Sequence, residues 1–466
     1  MLFSSITFLY YFLSLTLLIY FLVPKKAKNL ILLISSLFFY AWGEPRYVVI
    51  MALSVIVNYF LGIGIEYFRG KALSKVLLIL SLVFSLGILG YFKYADFFLQ
   101  SFSAITGIKI PLLRIALPIG ISFYTFQILS YTVDVYRGRV KAQKSIITLG
   151  TYIALFPQLI AGPIVRYSDV EKQLKRRTHS VSKAYEGIRY FVMGLSKKVI
   201  LANTLGELCD TLAITSDKSV LGSWLYVFSY MLQIFFDFSG YSHMAIGLGK
   251  ILGFDFMENF RYPFISRSIS EFWRRWHISL GSWFRDYVYI PMGGNRVGHI
   301  RFAINIFTVW FLTGLWHGAQ WNFVVWGLYF GVLLLLEKLF LSRFILRIKA
   351  VSHIYVLFFV AISFAIFSAS SMEGAMELLS SMFGLSGIPL TSAVSLYSLS
   401  NYFWVLVCGV LLSTPVFAKV KTIITNRKGT TLLYDIFEIP YLMALLTICT
   451  AYLADGSFNP FLYFRF

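Results

Sequence analysis

Apolar runs of about 20 residues recur along this chain, and no other feature constrains its fold as strongly. The first, "LFSSITFLYYFLSLTLLIYFLV", covers residues 2–23. A run of that length matches the ~30 Å hydrocarbon core of a bilayer when wound as a helix. In hydrocarbon every backbone N–H and C=O must pair inside the protein, which leaves helices and closed barrels as the spanning structures. The runs are about twice as long as a barrel strand, so helices are expected. Composition agrees: of 466 residues 58% are hydrophobic and only 13% charged, with a mean hydropathy of +0.74. The fold class is therefore all-α and polytopic, a single integral-membrane domain over residues 1–466. The first run lacks a preceding basic region and a small-residue cleavage site, so it reads as a span rather than a signal peptide.

The net charge of +20 follows from Lys and Arg gathering in cytoplasmic loops. "PKKAKN" after the first span, "FRGKALSK" at 68–75 and "YRGRVKAQK" at 136–144 are the basic loops that set the topology. Spans are expected near 3–23, 29–43, 47–66, 76–97, 115–134, 186–206 and 222–249, with a last one near 436–454. With two more flanking an external loop at 371–401, about ten transmembrane helices result, and both termini lie outside. The segment from Ser145 to Arg177 breaks the alternation. It is basic at both ends and is interrupted by Pro157, Gly162 and Pro163, so it reads as a re-entrant element around an internal cavity. Residues 302–338 read as a hairpin with arms of about 15 residues, roughly 22 Å of helix. Its turn, "TGLWHGAQWN", then places His317 inside the membrane. Cys209, Cys408 and Cys449 are scattered and fit no metal or disulfide pattern.

Residues 271–296, "EFWRRWHISLGSWFRDYVYIPMGGNR", are unlike the rest of the chain. Ser268 and Glu271 form a capping-box pattern for a helix starting there. At 100° per residue, Trp273, Trp276, His277, Leu280, Trp283, Phe284 and Tyr287 share one face, and Arg274, Arg275, Ser279, Ser282, Arg285 and Asp286 the other. This is the pattern of an amphipathic helix in the cytoplasmic interface. A plain membrane anchor has the same pattern, and the helix alone does not separate the two. His317 carries more weight, because an ionisable residue at membrane depth is a functional candidate by default. Imidazole suits proton transfer near neutral pH. A basic cytoplasmic rim suits a phosphate-bearing donor, although the positive-inside rule alone yields the same arginines. His179, His243, His299 and His353 lie in basic loops or near span ends and are assigned no chemistry.

Together, "FWRRWHISLGSWFRDYVYIPMGGNR" and "FLTGLWHGAQWNFVVWGLYFG" closely resemble the membrane-bound O-acyltransferase family, in particular its alginate O-acetyltransferase-like branch. "LPIGISFYTFQILSYTVDVYRG" (117–138), "FPQLIAGPIVRYSD", "FFDFSGYSHMAIGLGKILG", "NFRYPF" and the terminal "NPFLYFRF" support it. The motif-bearing core is about 117–338. The resemblance implies a ring of helices around a central tunnel, with His317 catalytic and His277 supporting it nearer the cytoplasmic mouth. It implies acetyl-CoA as donor substrate, with no cofactor and no metal. The acyl group is expected to reach a secreted or cell-wall polysaccharide across a bacterial cytoplasmic membrane. An extracytoplasmic serine-type acetyltransferase partner is expected to complete the transfer, because no soluble transferase domain is evident in the sequence.

On that reading Arg274, Arg275, Arg285 and Arg296, with Arg261 and Arg267, are candidates for the donor phosphates. Trp273 and Trp276 are candidates for the tunnel wall. Trp316, Gln320 and Asn322 are candidates for orienting His317 or the developing oxyanion. Asp286, adjacent to Arg285, is expected to pair with a different arginine. Two rivals stand beside this reading: D-alanyl transfer to teichoic acids from a carrier-protein thioester, and a transporter of polysaccharide precursors. No nucleic-acid module is expected.

Overall fold

The computed structural model describes residues 1–160, 162–341, 348–425 and 430–456. Every regular element among them is a helix. The basic residues Arg343, Arg347, Arg427 and Lys428 and the terminal "NPFLYFRF" lie outside the described residues. Among the described residues, six helices are long and apolar enough to cross a membrane: Val48–Tyr67, Ala72–Thr106, Val220–Leu252, Trp321–Leu339, Lys349–Ser368 and Ile436–Ala454. The pair Ala393–Asn401 and Phe403–Leu412, bent by 57°, makes a seventh if counted as one span. The expected total of about ten left out Trp321–Leu339, read as a hairpin arm, and counted 186–206, where a π-helical turn at Lys197–Ala202 joins Val181–Ser196 to Asn203–Ile214. It also counted the three helices Thr7–Leu22, Lys28–Gly43 and Ile121–Tyr136. These are shorter apolar helices, each about 24 Å long at 1.5 Å per residue.

The chain divides into two compact units, Met1–Phe191 with Ser242–Met257, and Val192–Tyr241 with Glu258–Phe466. In the first, helices are tied by a buried polar knot. Ser81 Oγ donates to Asn58 Oδ1 at 2.6 Å, and Asn58 Nδ2 donates to Ser85 Oγ at 3.2 Å. Such ties matter where lipid removes the hydrophobic drive between helices. The segment expected to be re-entrant consists of two short helices, Ile146–Ala154 and Phe156–Leu159. Nine residues cover only about 14 Å, too little for a span. Pro157 sits in the first turn of the second helix, where its missing N–H costs nothing. Tyr152 Oη donates to Val165 O at 3.0 Å and Gln158 Nε2 to Tyr152 O at 2.6 Å, so the irregular backbone is satisfied internally.

The second unit contains the histidine hairpin, His299–His317 and Trp321–Leu339. Each arm has 19 residues, about 28 Å, rather than the expected 15 or so. The helices run on past the apolar stretch through His299–Arg301 at one end and Lys338 at the other. Arm length therefore does not argue for a mid-membrane His317; its side chain is buried within the protein. A Cβ on Gly327 would run into Trp310 O and come within 3.1 Å of the Gly314 backbone. Glycines at both positions let the two helices touch backbone to backbone. The segment expected as an external loop, 371–401, is instead partly helical, Met372–Met382 and Ala393–Asn401. It docks on the start of Val220–Leu252 through Val220 N–H to Pro389 O at 3.0 Å and Lys218 to Glu377 at 2.9 Å.

The glycine contact gives a direct expectation. Gly327→Ala costs about 1–3 kcal/mol through forced separation of the hairpin arms, seen as a lowered thermal midpoint of the detergent-purified protein. An unchanged midpoint would mean that the arms do not approach this closely.

Candidate active site

The stretch expected to form one amphipathic helix is broken. Helix Ile269–Arg275 ends at Trp276, and Ile278–Phe284 begins after His277. His277 has φ 44° and ψ 54°, in the left-handed region. That conformation costs an L-residue roughly 1–2 kcal/mol. Asn259 holds it there. The Asn259 side-chain oxygen accepts from Ser279 N–H at 3.1 Å and Ser279 Oγ at 2.9 Å, and lies 3.2 Å from His277 Nδ1. The Asn259 carbonyl accepts Ile278 N–H at 3.0 Å. The N-cap is as expected: Ser268 Oγ accepts Glu271 N–H at 2.9 Å. Glu271, however, accepts from Arg267 N–H rather than closing the box on Ser268. Burial opposes ionisation of Glu271, but hydrogen bonds from Arg267 N–H and Arg275 outweigh it and pull its pKa below the usual range. The apolar face was read correctly for Trp276, His277, Leu280, Trp283 and Phe284, all buried. Ser279, placed on the polar face, is buried against Asn259. The break rotates it inward.

His317 ends the His299–His317 helix and is 4% exposed. Its ring packs 4.9 Å from Trp326, 5.0 Å from Trp316 and 5.4 Å from Phe367, centroid to centroid. It lines a narrow cavity of about 20 Å³, enough for a single water. The walls are largely aromatic, from Phe272, Trp273, Trp276, Trp326, Phe330 and Phe367. The polar lining residues are Asp237, Ser363 and His317. The indole N–H groups of Trp273 and Trp326 are buried and have no acceptor among the described residues.

The predicted residues are thus only partly gathered. His317, Trp273 and Trp276 share the cavity. His277 packs against Trp316, with ring centroids 5.6 Å apart, so both histidines contact the same indole. Gln320 is exposed. Asn322 is buried but donates to Ala369 O at 2.8 Å, tying its helix to the end of Lys349–Ser368. Neither Gln320 nor Asn322 lines the cavity. Three arginines are matched by carboxylates: Arg261 with Glu258 at 2.7 Å, Arg275 with Glu271 at 2.8 Å and Arg285 with Asp286 at 2.7 Å. The last pair corrects the expectation that neighbours on a helix diverge. A π-helical turn, Arg285–Tyr289, starts here, and the long guanidinium folds back onto the next side chain. Arg274 and Arg296 are exposed and make no ion pair within 4.0 Å among the described residues. Asp237, Ser363 and Phe367 were not singled out from the sequence. An acid inside the apolar run "IFFDFSG" is the signal that would have found Asp237.

With this geometry in place, comparison with known proteins decides the class. The profile of the membrane-bound O-acyltransferase family matches residues 138–376. The probable alginate O-acetylase AlgI of Azotobacter vinelandii is 38% identical over the whole of both chains. That of Pseudomonas aeruginosa is 43% identical over 82% of this chain and 75% of its own. The chain belongs to the membrane-bound O-acyltransferase family. It is an O-acyltransferase, and its apolar helices make it a multi-pass membrane protein. A peptidoglycan O-acetyltransferase of Helicobacter pylori is 33% identical over 84% of this chain and 81% of its own. The family match contains both histidines and every residue lining the cavity.

The left-handed backbone at His277 separates its conformational from its chemical contribution. Both His277→Gly and His277→Ala delete the imidazole, but only glycine adopts φ 44° freely. The glycine variant should be the more stable by about 1 kcal/mol, measured by thermal unfolding in detergent. Equal stability of the two variants would contradict the strained assignment.

Proposed function

We propose that this O-acyltransferase moves an acetyl group from cytoplasmic acetyl-CoA towards a hydroxyl of a secreted or cell-wall polysaccharide, with His317 as general base. The observation that carries the reading is a buried imidazole in an aromatic cavity of an O-acyltransferase. The donor thioester reaches the cavity from the basic side of the membrane, with exposed Arg274 and Arg296 nearest in kind to a phosphate site. A polymer or partner hydroxyl arrives from the other side. His317 takes the hydroxyl proton as the oxygen attacks the thioester carbonyl. The C–S bond breaks, and the imidazolium returns the proton to the departing thiolate, giving an ester and a thiol. The indole N–H groups of Trp273 and Trp326 are the donors suited to the oxyanion, in place of Gln320 and Asn322. His277, packed against Trp316, supports His317 without reaching the substrate. An extracytoplasmic serine-type partner carries the acyl group onward in this scheme. The protein sits in a bacterial cytoplasmic membrane, with both termini outside.

D-alanyl transfer is the second reading, since a teichoic acid D-alanyltransferase of Bacillus subtilis is 34% identical. That likeness covers only 46% of this chain, whereas the relatives named as O-acetylases or O-acetyltransferases cover 72% to 100%. Extent of similarity favours acetylation. The test is consumption of radiolabelled acetyl-CoA by the purified protein in liposomes. Wild type releases or transfers label, and His317→Ala falls by about 10²-fold or more while remaining folded. Equal rates in the two would overturn the assignment of His317, and consumption of an acylated carrier protein alone would favour the D-alanyl reading.

A further inference from the structure

A buried ion pair stands at the edge of the His317 cavity. Lys198 Nζ lies 2.9 Å from Asp237 Oδ1, with the side chains 2% and 3% exposed. Lys198 Nζ also donates to Asn203 Oδ1 at 2.9 Å. Asp237 lines the cavity; Lys198 does not.

The chain goes to some length to place this pair. Lys198 belongs to a π-helical turn, Lys197–Ala202, inserted between the helices Val181–Ser196 and Asn203–Ile214. Such turns cost regular hydrogen bonding and gather at functional sites. The facing helix, Val220–Leu252, comes close at Gly240, three residues after Asp237. A Cβ there would lie 2.7 Å from Gly194 O and 3.2 Å from Lys198 N. A desolvated ion pair is a poor way to gain stability, since apolar residues of similar volume do as well or better. An ionised pair inside membrane helices calls for a chemical role.

We infer that Asp237, paired with Lys198, is a positioning residue that stabilises the imidazolium of His317 during acyl transfer. The inference rests on the proposed role of His317 as general base. When His317 takes the acceptor hydroxyl proton, positive charge forms in a cavity with aromatic walls and room for about one water. The Asp237 carboxylate is the negative group lining that cavity. It keeps its own charge throughout: the proton passes from hydroxyl to imidazole to thiolate, and neither Asp237 nor Lys198 gains or loses one. Lys198, 2.9 Å away, offsets the cost of burying the carboxylate's charge at the cavity edge.

The experiment is the pH profile of acetyl-CoA consumption by the full-length protein in liposomes, for wild type, Asp237→Asn, Asp237→Asn with Lys198→Gln, and His317→Ala. A base that works unprotonated gives a rate rising with pH through its apparent pKa. Removing a nearby negative charge makes the imidazolium less stable. The rising limb should therefore move to lower pH, by about one unit, while the plateau rate falls about tenfold or more. A merely structural pair would change the amount of folded protein and leave the limb in place. Where Asp237→Asn fails to fold, the double variant carries the test, because it leaves no unpaired buried charge; it should show the same direction of shift with a reduced plateau. A wild-type plateau and limb in either folded variant, with His317→Ala inactive, overturns the inference and leaves the proposed function standing. Activity in His317→Ala equal to wild type overturns both.

Discussion

A backbone or side chain withdrawn from water into hydrocarbon must find its hydrogen-bond partners within the protein. The rest of this structure follows from how the chain meets that demand where it is not a simple helix. The pair of short helices Ile146–Ala154 and Phe156–Leu159 satisfies its broken backbone through Tyr152 and Gln158. The break at His277 is satisfied by Asn259, which serves Ser279 N–H, Ser279 Oγ and Ile278 N–H around the imidazole. The ends of the histidine hairpin are closed by backbone packing at Gly314 and Gly327. Each of these three irregularities has a named partner holding it in place.

The same economy shapes the cavity. Aromatic rings close around His317 to a volume that admits one water. An acyl thioester is larger, so under the proposed reaction the donor turns rings aside as it arrives. Trp273, Trp326, Phe330 and Phe367 contact one another mostly edge to face, an arrangement preferred over face-to-face stacking. The cavity thus excludes bulk water until substrate displaces it. That suits a reaction in which water is a competing acceptor.

Much of the fold was legible because apolar runs and basic loops obey strong rules. Spans such as Val48–Tyr67 and Lys349–Ser368 follow from hydropathy, and the break into two short helices at Leu155 from Pro157 and the basic flanks. The burial of His277 and His317 was also legible, from helical periodicity and from an apolar hairpin. The break at His277 was not, because a positive φ is normally announced by glycine, and here a histidine is held there by an asparagine 18 residues away. The pairing of Arg285 with Asp286 depends on a local π turn that no spacing rule reveals. Gln320 and Asn322 sit beside His317 in sequence, yet one faces outward and the other is engaged by a neighbouring helix. Asp237 was passed over because one acid in an apolar run reveals its partner only when the facing helix is folded against it.

The central claim is that the acyl end of a thioester donor occupies the aromatic cavity at His317. Its most direct test is cryo-electron microscopy of the protein with a non-cleavable thioether analogue of acetyl-CoA. Density for the acyl end is expected between Trp273, Trp326 and His317, with at least one of those rings turned from its present position. Density for the acyl end elsewhere, with these rings still closed on His317, would contradict it.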